Sequence, residues 1–207
     1  ELVRLYYDNG RYSSSVEVTE NKLENNIIEL SLDINEGDAS TIKEIKILGN
    51  KTYSTRLLKS LIKSGPKYWF EVWSDKDIYN STLLDQDIEV IRDYYLNRGY
   101  AKFKVVSKQV NLSPDKEDIY ITLSINEGNL YKFGKTTVYG LDNYDSNVFK
   151  NIINSNLYSG SFFSRSNIET VKESIQFVLG EKGYAFPLVQ LNLDLKDDSE
   201  YVDITIR

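Results

Sequence analysis

Carboxylates and hydroxyls are the groups of this 207-residue chain that could act in acid–base or nucleophilic chemistry, because it contains no histidine and no cysteine. The usual bases, thiol nucleophiles and soft metal ligands are therefore absent. The adjacent acids Asp197 and Asp198 fall in a predicted hairpin turn, where solvated carboxylates are ordinary. No serine lies in a nucleophile elbow. We predict no catalytic residue, no metal ligand and no cofactor.

One enzymatic alternative stays open, an acidic hydrolase that uses paired carboxylates. It would need two acids that face each other in a concave site, whereas the acids of this chain cluster in turns and helix caps. A buried Asp87 or Glu89 with a raised pKa would favour this alternative.

Composition limits the classes of partner. The chain carries 31 acidic and 25 basic residues, for a formal charge of -6, and neither half is dominated by one sign, which argues against a nucleic-acid partner because such a partner calls for a basic face or stripe. No apolar run approaches the roughly 18 residues of a membrane-spanning helix. Because the sequence has no methionine and starts inside a helical pattern, we predict an interior fragment of a longer protein.

Two phrases repeat along the chain and predict how it is divided. The tyrosine-rich segment 6–12 returns at 94–100 and more loosely at 178–184, and Ile-Asn-Glu-Gly at 34–37 returns 91 residues later. A period of this size indicates small domains. We predict the C-terminal half of a module at 1–38 and complete modules at 39–128 and 129–207. A half module would expose an unpaired sheet edge and part of its core.

Within the middle repeat the pattern of apolar residues gives the element order β-α-α-β-β. Strands are predicted at 42–48, 101–112 and 119–125, and helices begin near Ser54 and Ser81. Ser54 can cap the first helix because its side chain can accept a backbone N–H of the first turn.

Helix ends are marked by specific residues. Gly99 suits the position after the second helix, where a left-handed backbone is favoured. In the last repeat, Ser166 and Glu169 form a predicted capping box that opens the second helix, and Tyr144 is expected to pack onto Phe149 as a hydrophobic staple.

The predicted strand 101–112 is the candidate binding element, because it is longer than a typical strand. Val105 and Val106 break its alternation and predict a β-bulge. Val110 and Leu112 offer apolar contacts on one side for a partner strand added to this edge. Alternatively, lysines protect the edge from unwanted pairing, namely Lys102, Lys104 and Lys108. Both interpretations require an edge strand.

An aromatic cluster lies between the two helices of the middle repeat. Residues 68–70 are Tyr-Trp-Phe, and Trp73 follows. Exposed aromatic side chains would anchor a partner, but we favour the interpretation that they cover the open end of a small core.

These features together resemble a known family. The order β-α-α-β-β, the closing Asn-Glu-Gly, the Gly-Asn before Tyr-Ser at 49–54 and the Arg-Gly-Tyr at 98–100 are similar to POTRA domains. The segments 94–103 and 109–116 resemble the third POTRA module of the BamA family of outer-membrane protein assembly factors. On this match, 1–38 corresponds to the end of the second module and the last repeat to the fourth.

The resemblance implies an α+β fold of tandem POTRA modules, each a three-stranded mixed sheet packed against two antiparallel helices. It implies a non-enzymatic scaffold in the periplasmic portion of a Gram-negative outer-membrane protein, covalently linked to a C-terminal outer-membrane barrel outside this sequence. Its implied partners are unfolded outer-membrane protein clients and accessory, BamB-like lipoproteins, bound by β-augmentation to promote barrel folding and insertion. The implied partner-binding residues are Leu61, Val110 and Leu112, and the implied edge strand includes Val105, Val106, Lys108 and Gln109.

Two further alternatives share the predicted fold. The chain could belong to a related transporter of two-partner secretion or autotransporter assembly, or it could act as a structural spacer that sets the distance between two membranes.

Overall fold

The computed structural model describes residues 1–23, 27–67, 71, 73–140 and 146–207. Contacts divide the chain into two compact units, Glu1–Ile91 with Val105–Ile125, and Arg92–Lys104 with Asn126–Arg207. The predicted division into modules at 1–38, 39–128 and 129–207 remains a prediction, because these units cut the middle repeat at different positions.

The described residues form five helices and eight strands. The helices are α1 (Leu2–Asp8), α2 (Thr55–Leu61), α3 (Ser81–Leu96), α4 (Ser146–Asn156) and α5 (Arg165–Glu181). The strands are β1 (Ser15–Lys22), β2 (Ile28–Asn35), β3 (Thr41–Leu48), β4 (Lys104–Leu112), β5 (Asp118–Asn126), β6 (Lys132–Val138), β7 (Leu191–Lys196) and β8 (Tyr201–Ile206). The order β-α-α-β-β occurs twice in full, from β3 to β5 and from β6 to β8.

The strands form three sheets. β1 and β2 make an antiparallel pair, while the other two sheets have the orders β3-β5-β4 and β6-β8-β7. The edge strand β3 runs parallel to the central strand β5, and β6 runs parallel to the central strand β8. The other edge strand of the last sheet, β7, runs antiparallel to β8. The predicted α+β class, with three-stranded mixed sheets and helices in each repeat, is confirmed.

Alternating apolar residues place each central strand in a core. On β5 every second side chain is buried, from Ile119 to Ile125, as expected for a strand with one face toward helices. In the second unit, Phe133 and Phe149 are buried with Val171 of α5, and the rings of Phe133 and Phe163 are 5.6 Å apart. The hairpin β1–β2 differs, because the apolar residues of β2 are exposed, namely Ile28, Leu30, Leu32 and Ile34. Such exposure is expected of a half module.

Serine side chains fix the starts of two helices. Ser54 Oγ accepts the Leu57 N–H at 3.2 Å, which confirms the predicted cap of α2. The capping box predicted at Ser166 is wrong, because Ser164 has the extended backbone and accepts the Asn167 N–H at 3.3 Å. α5 therefore begins two residues earlier than the pattern indicated. The predicted staple of Tyr144 on Phe149 involves a residue outside the described part of the chain.

The recurring tyrosine phrase marks the end of the second helix of each repeat. Gly10, Gly99 and Gly183 all have left-handed φ angles, of 76°, 97° and 95°. The residue after each glycine donates its N–H to the carbonyl five residues earlier, from Arg11 to Tyr6, from Tyr100 to Tyr95 and from Tyr184 to Leu179. The three copies are therefore equivalent at the glycine, which is why the tyrosine Tyr12 appears one position late.

The Asn-Glu-Gly phrase closes the hairpins β1–β2 and β4–β5 with a hydrogen bond inside the phrase. The amide oxygens of Asn35 and Asn126 accept the N–H groups of Gly37 and Gly128 at 3.1 and 2.9 Å. A Cβ on Gly128 would lie 3.1 Å from Lys102 Cβ, a tight contact, and the left-handed φ of 70° at this position also favours glycine.

A second contact follows directly. The N–H of Ser40 donates to Gly10 O at 2.8 Å, and the N–H of Tyr131 donates to Gly99 O at 2.7 Å. We call this contact, between the glycine that ends a helix and the start of the next strand, the helix-end joint. It is made twice in the described chain, once in each unit.

Candidate functional site

β4 lies at the end of its sheet, so within the described residues no strand pairs with its outer side. The opposite edge of the sheet is partly occupied, because Thr41 of β3 forms a bridge with Ile78 and the Ile42 N–H donates to Asp77 O at 2.6 Å. The unpaired backbone groups of the sheet are thus concentrated on β4. This is the position that strand addition requires.

Along β4 the alternation of half-buried and exposed side chains shifts by one residue within the strand. Val105 and Ser107 are half-buried and Val106 is 61% exposed, so alternation is intact where the sequence predicted a bulge. Lys108 and Gln109 are both exposed, and beyond them Val110 and Leu112 are half-buried. One extra residue is needed to keep both half-buried pairs on the same face, which is the signature of a bulge. The predicted bulge at Val105–Val106 is wrong, and the phase change lies at Lys108–Gln109.

The hairpin fixes which backbone groups of β4 face outward. Ser113 donates its N–H to Asp118 O at 2.9 Å, and a connection this short joins antiparallel strands. Because inward and outward backbone groups alternate along an antiparallel ladder, Asn111 bonds toward β5. The backbone N–H and C=O of Val110 and Leu112 then face the open edge.

Leu61 lies elsewhere in the first unit, as the last residue of α2, and is half-buried. The neighbouring Ile62 and Ser64 line a groove of about 580 Å³. Its other lining side chains include four cations, Arg56, Lys59, Lys63 and Lys76. The partner-binding role of Leu61, Val110 and Leu112 remains a prediction, and the structure places the three residues on two separate elements.

Acidic side chains engage two of the three lysines that punctuate this region. Lys108 Nζ forms an ion pair with Asp85 at 2.5 Å, and Lys102 forms a closer pair with Asp197. Hydrogen bonds from Lys102 and then from the Tyr131 hydroxyl lower the pKa of Asp197. Asp197 therefore differs from the simple solvated turn acid that the sequence indicated.

The carboxylates named for the hydrolase alternative do not form a paired site. Asp87 is 2% exposed, and its two oxygens accept the N–H groups of Lys63 and Ser64 at 2.9 and 2.8 Å. Glu89 is exposed. Asp87 thus fixes the segment after α2, a structural role for which both of its carboxylate oxygens are used.

The aromatic cluster is described only in part. Trp73 is 97% exposed, so the prediction that it covers the core is wrong. Residues 68–70 lie outside the described part of the chain.

A second edge was missed from the sequence. β7 ends the sheet β6-β8-β7 just as β4 ends its own, and Leu193 at its centre is exposed. The repeat in the sequence could have predicted this edge, because β7 occupies the same position in the last repeat as β4 in the middle one.

In the part of the chain that the structure describes, no helix has both the length and the apolar content needed to cross a membrane.

Comparisons with known proteins agree with this architecture. The family model POTRA, described as surface antigen variable number repeat, matches residues 40–128 and 131–207. The outer membrane protein assembly factor BamA of Buchnera aphidicola is 32% identical over 86% of this chain and 29% of its own length. BamA of Neisseria meningitidis is 25% identical over 97% of this chain and 25% of its own length.

A solved structure gives the same result. Crystallised POTRA domains 3–5 of Haemophilus influenzae BamA superpose with a TM-score of 0.67 at 28% identity, over 81% of this chain and 65% of that one. BamA of Haemophilus ducreyi lacking POTRA domains 1–3 shares the fold, with a TM-score of 0.60 at 17% identity.

The chain spans less than a third of the length of the curated relatives named here. POTRA domains of assembly factors are non-enzymatic periplasmic scaffold domains, and this family relationship confirms the prediction that the chain is not an enzyme. The predicted resemblance to the POTRA domains of BamA is therefore confirmed, and the chain belongs to the POTRA family.

Proposed function

We propose that this chain is part of the periplasmic scaffold of an outer-membrane protein assembly factor, and that its β4 edge binds unfolded outer-membrane protein clients by β-augmentation. The full protein would carry a covalently linked C-terminal barrel. The observation that supports this most directly is the open side of β4, in a chain whose relatives are BamA proteins.

The chemistry of β4 suits such a client. Strands of outer-membrane barrels alternate apolar and polar side chains and span the membrane with about 9–11 residues. β4 has 9 residues, so its length matches one client strand. Added main-chain hydrogen bonds would supply affinity, and the partly accessible Val106, Val110 and Leu112 would contact alternate client side chains.

Accessory, BamB-like lipoproteins are the second class of partner that we propose. The half-buried Leu61 at the end of α2 would contribute an apolar contact, and Val110 and Leu112 would provide the strand edge. Arg56 and Lys59 on the same helix would favour an acidic partner surface.

The experiment uses two substitutions that act on the edge in different ways. Val110→Pro removes an outward-facing N–H while leaving the bonds between β4 and β5 intact, and Leu112→Asp charges the apolar side. We expect each to weaken binding of a labelled ten-residue peptide with alternating valine and threonine by about tenfold or more, measured by fluorescence anisotropy. In the full-length protein, each should also reduce lipoprotein capture and barrel assembly.

Val90→Asp on α3 is the matched control, because it charges a half-exposed valine away from the edge. It should leave peptide binding unchanged. Normal binding and assembly in both edge variants would exclude the β4 edge as the binding site.

The spacer alternative predicts a different result. Replacement of 40–128 by an inert linker of equal length would leave assembly intact if the modules only set a distance. Loss of assembly would support recognition by the edge. The transporter alternative would be supported if the full-length protein secreted a passenger protein instead of assembling barrels.

A further inference from the structure

The groove beside the end of α2, which we call the α2 groove, has a surplus of positive charge. Its volume is about 580 Å³, and its lining includes the cations Arg56, Lys59, Lys63 and Lys76 and, among the described residues, no acidic side chain. Lys76 is neutralised by an ion pair with Glu71 at 2.5 Å. Within the described part of the chain, no acid forms an ion pair with the other three cations.

This surplus runs against the charge of the chain, which is -6. A buried acid beside the groove, Asp87, accepts the N–H groups of Lys63 and Ser64. Three unpaired cations less this one carboxylate leave a surplus of two positive charges. Arg56 and Lys59 are also three residues apart on one helix face, where like charges repel each other. A bound anion would remove this repulsion.

Apolar side chains form another part of the groove wall. Ile45 of β3 is 1% exposed, and Ile62 and Pro66 are half-buried. A cleft that has low-dielectric walls and charges of one sign concentrates its electric field. The α2 groove therefore suits an anionic group that is attached to an apolar body.

The last repeat carries a groove of the same kind with less charge. α4 begins 91 residues after α2, and a groove of about 610 Å³ lies beside it. Lys150 lines this second groove at the repeat position of Lys59. Its other lining cation, Lys135, donates its backbone N–H to the Asp203 carboxylate at 2.7 Å. Counted in the same way, the second groove has a surplus of one, so the cleft is common to both repeats and the larger surplus is specific to α2.

We propose that the α2 groove is a binding site for a phosphate monoester group. Such a group carries about -1.5 to -2 charges near pH 7, which matches the surplus of two, whereas a single carboxylate carries one. Lysine and arginine side chains bind phosphate oxygens through charge-assisted hydrogen bonds. The phosphate would belong either to a soluble molecule or to a lipid headgroup. The site does not involve the β4 edge, and it shares only Arg56 and Lys59 with the proposed lipoprotein contact.

The test titrates the intact chain with phenyl phosphate and follows the backbone amides by NMR. Benzoate is the matched control ligand, because it has the same ring and a single carboxylate. We expect shifts concentrated at residues 59–65 and binding of phenyl phosphate at least about tenfold tighter than that of benzoate. Flotation with vesicles of phosphatidic acid, compared with phosphatidylcholine, tests the lipid source, and binding of phenyl phosphate without flotation assigns the groove to soluble phosphates.

Two charge reversals at equivalent exposed positions separate this site from general attraction to the chain. Lys59→Glu should weaken phenyl phosphate binding by about tenfold or more, because it replaces an attraction by a repulsion. Lys150→Glu makes the same change of charge in the second groove and should alter binding by less than about twofold. Equal weakening by the two variants, equally tight binding of benzoate, or no binding of either phosphate probe would overturn the proposal.

Discussion

Tyr6 and Tyr95 occupy the same position of the repeat, four residues before the helix-end glycine, and both hydroxyls point to the glutamate of the Asn-Glu-Gly phrase. The Tyr95 hydroxyl donates to Glu127 at 2.8 Å in a buried environment. The Tyr6 hydroxyl lies 3.4 Å from Glu36 in an exposed one. A buried carboxylate that loses its hydrogen-bond donor is left unsatisfied and destabilises the fold, whereas an exposed carboxylate forms a hydrogen bond with water instead.

Removal of each hydroxyl should therefore have unequal effects. We expect Tyr95→Phe to lower the free energy of unfolding by about 1–3 kcal/mol and Tyr6→Phe to change it by less than about 0.5 kcal/mol. Urea denaturation followed by circular dichroism measures both. Similar losses in the two variants would show that burial does not set the strength of this contact.

At the scale of elements, the helix ends and the edge strand depend on different properties of the chain. A helix end needs a residue that adopts a left-handed backbone, and Gly99 also needs space for Leu130 and Tyr131. The edge strand needs unpaired backbone, which any residue except proline supplies. A substitution that preserves polarity can thus disrupt a joint, whereas the edge tolerates many side chains.

Gly99→Ala and Gly183→Ala form a matched pair, since their φ angles differ by only 2°. Both should lose about 1–2 kcal/mol of stability from the left-handed backbone. Gly99→Ala should lose about 1–3 kcal/mol more, because Leu130 must move. Thermal and urea unfolding of both variants test this, and an equal loss would mean that the neighbour moves without strain.

At the scale of the whole molecule, pairing between residues distant in sequence makes stability depend on pH. Lys102 and Asp197 are 95 residues apart, and both belong to the second unit. Hydrogen bonds from Lys102 and Tyr131 lower the pKa of Asp197, while the bond to Asp197 raises the pKa of Lys102. The pair thus contributes most when both groups are charged.

The sign of the acid effect follows from linkage. Because the folded pKa of Asp197 lies below the unfolded value near 3.8, its contribution is present above that pH and is lost as pH falls through the folded pKa. We expect Asp197→Asn to lower stability near neutral pH and the difference from the wild-type chain to shrink as the pH falls below 3.8. Urea midpoints across this range measure the difference, and a gap that is independent of pH would contradict a charge effect.

Much of the fold could be predicted from the sequence, because it depends on local patterns. The alternation of β5, the serine cap of α2 and the glycines after the helices each act over a few residues. These predicted the order β-α-α-β-β and located the candidate edge. The start of α5 was misplaced because Ser164 and Ser166 are equally suitable caps by residue type, and the backbone at Ser164 decided between them.

The sequence by itself determined the repeat, the element order and the absence of histidine and cysteine chemistry, since these follow from residue type and spacing. Only the tertiary structure decided that the phase of β4 changes at Lys108–Gln109, that Lys102 binds Asp197, and that Gly10 and Gly99 are covered while Gly183 is open. The reason is physical. Strand phase, ion pairing and access to a glycine depend on which distant segments pack together, and residue spacing along one segment does not contain that information.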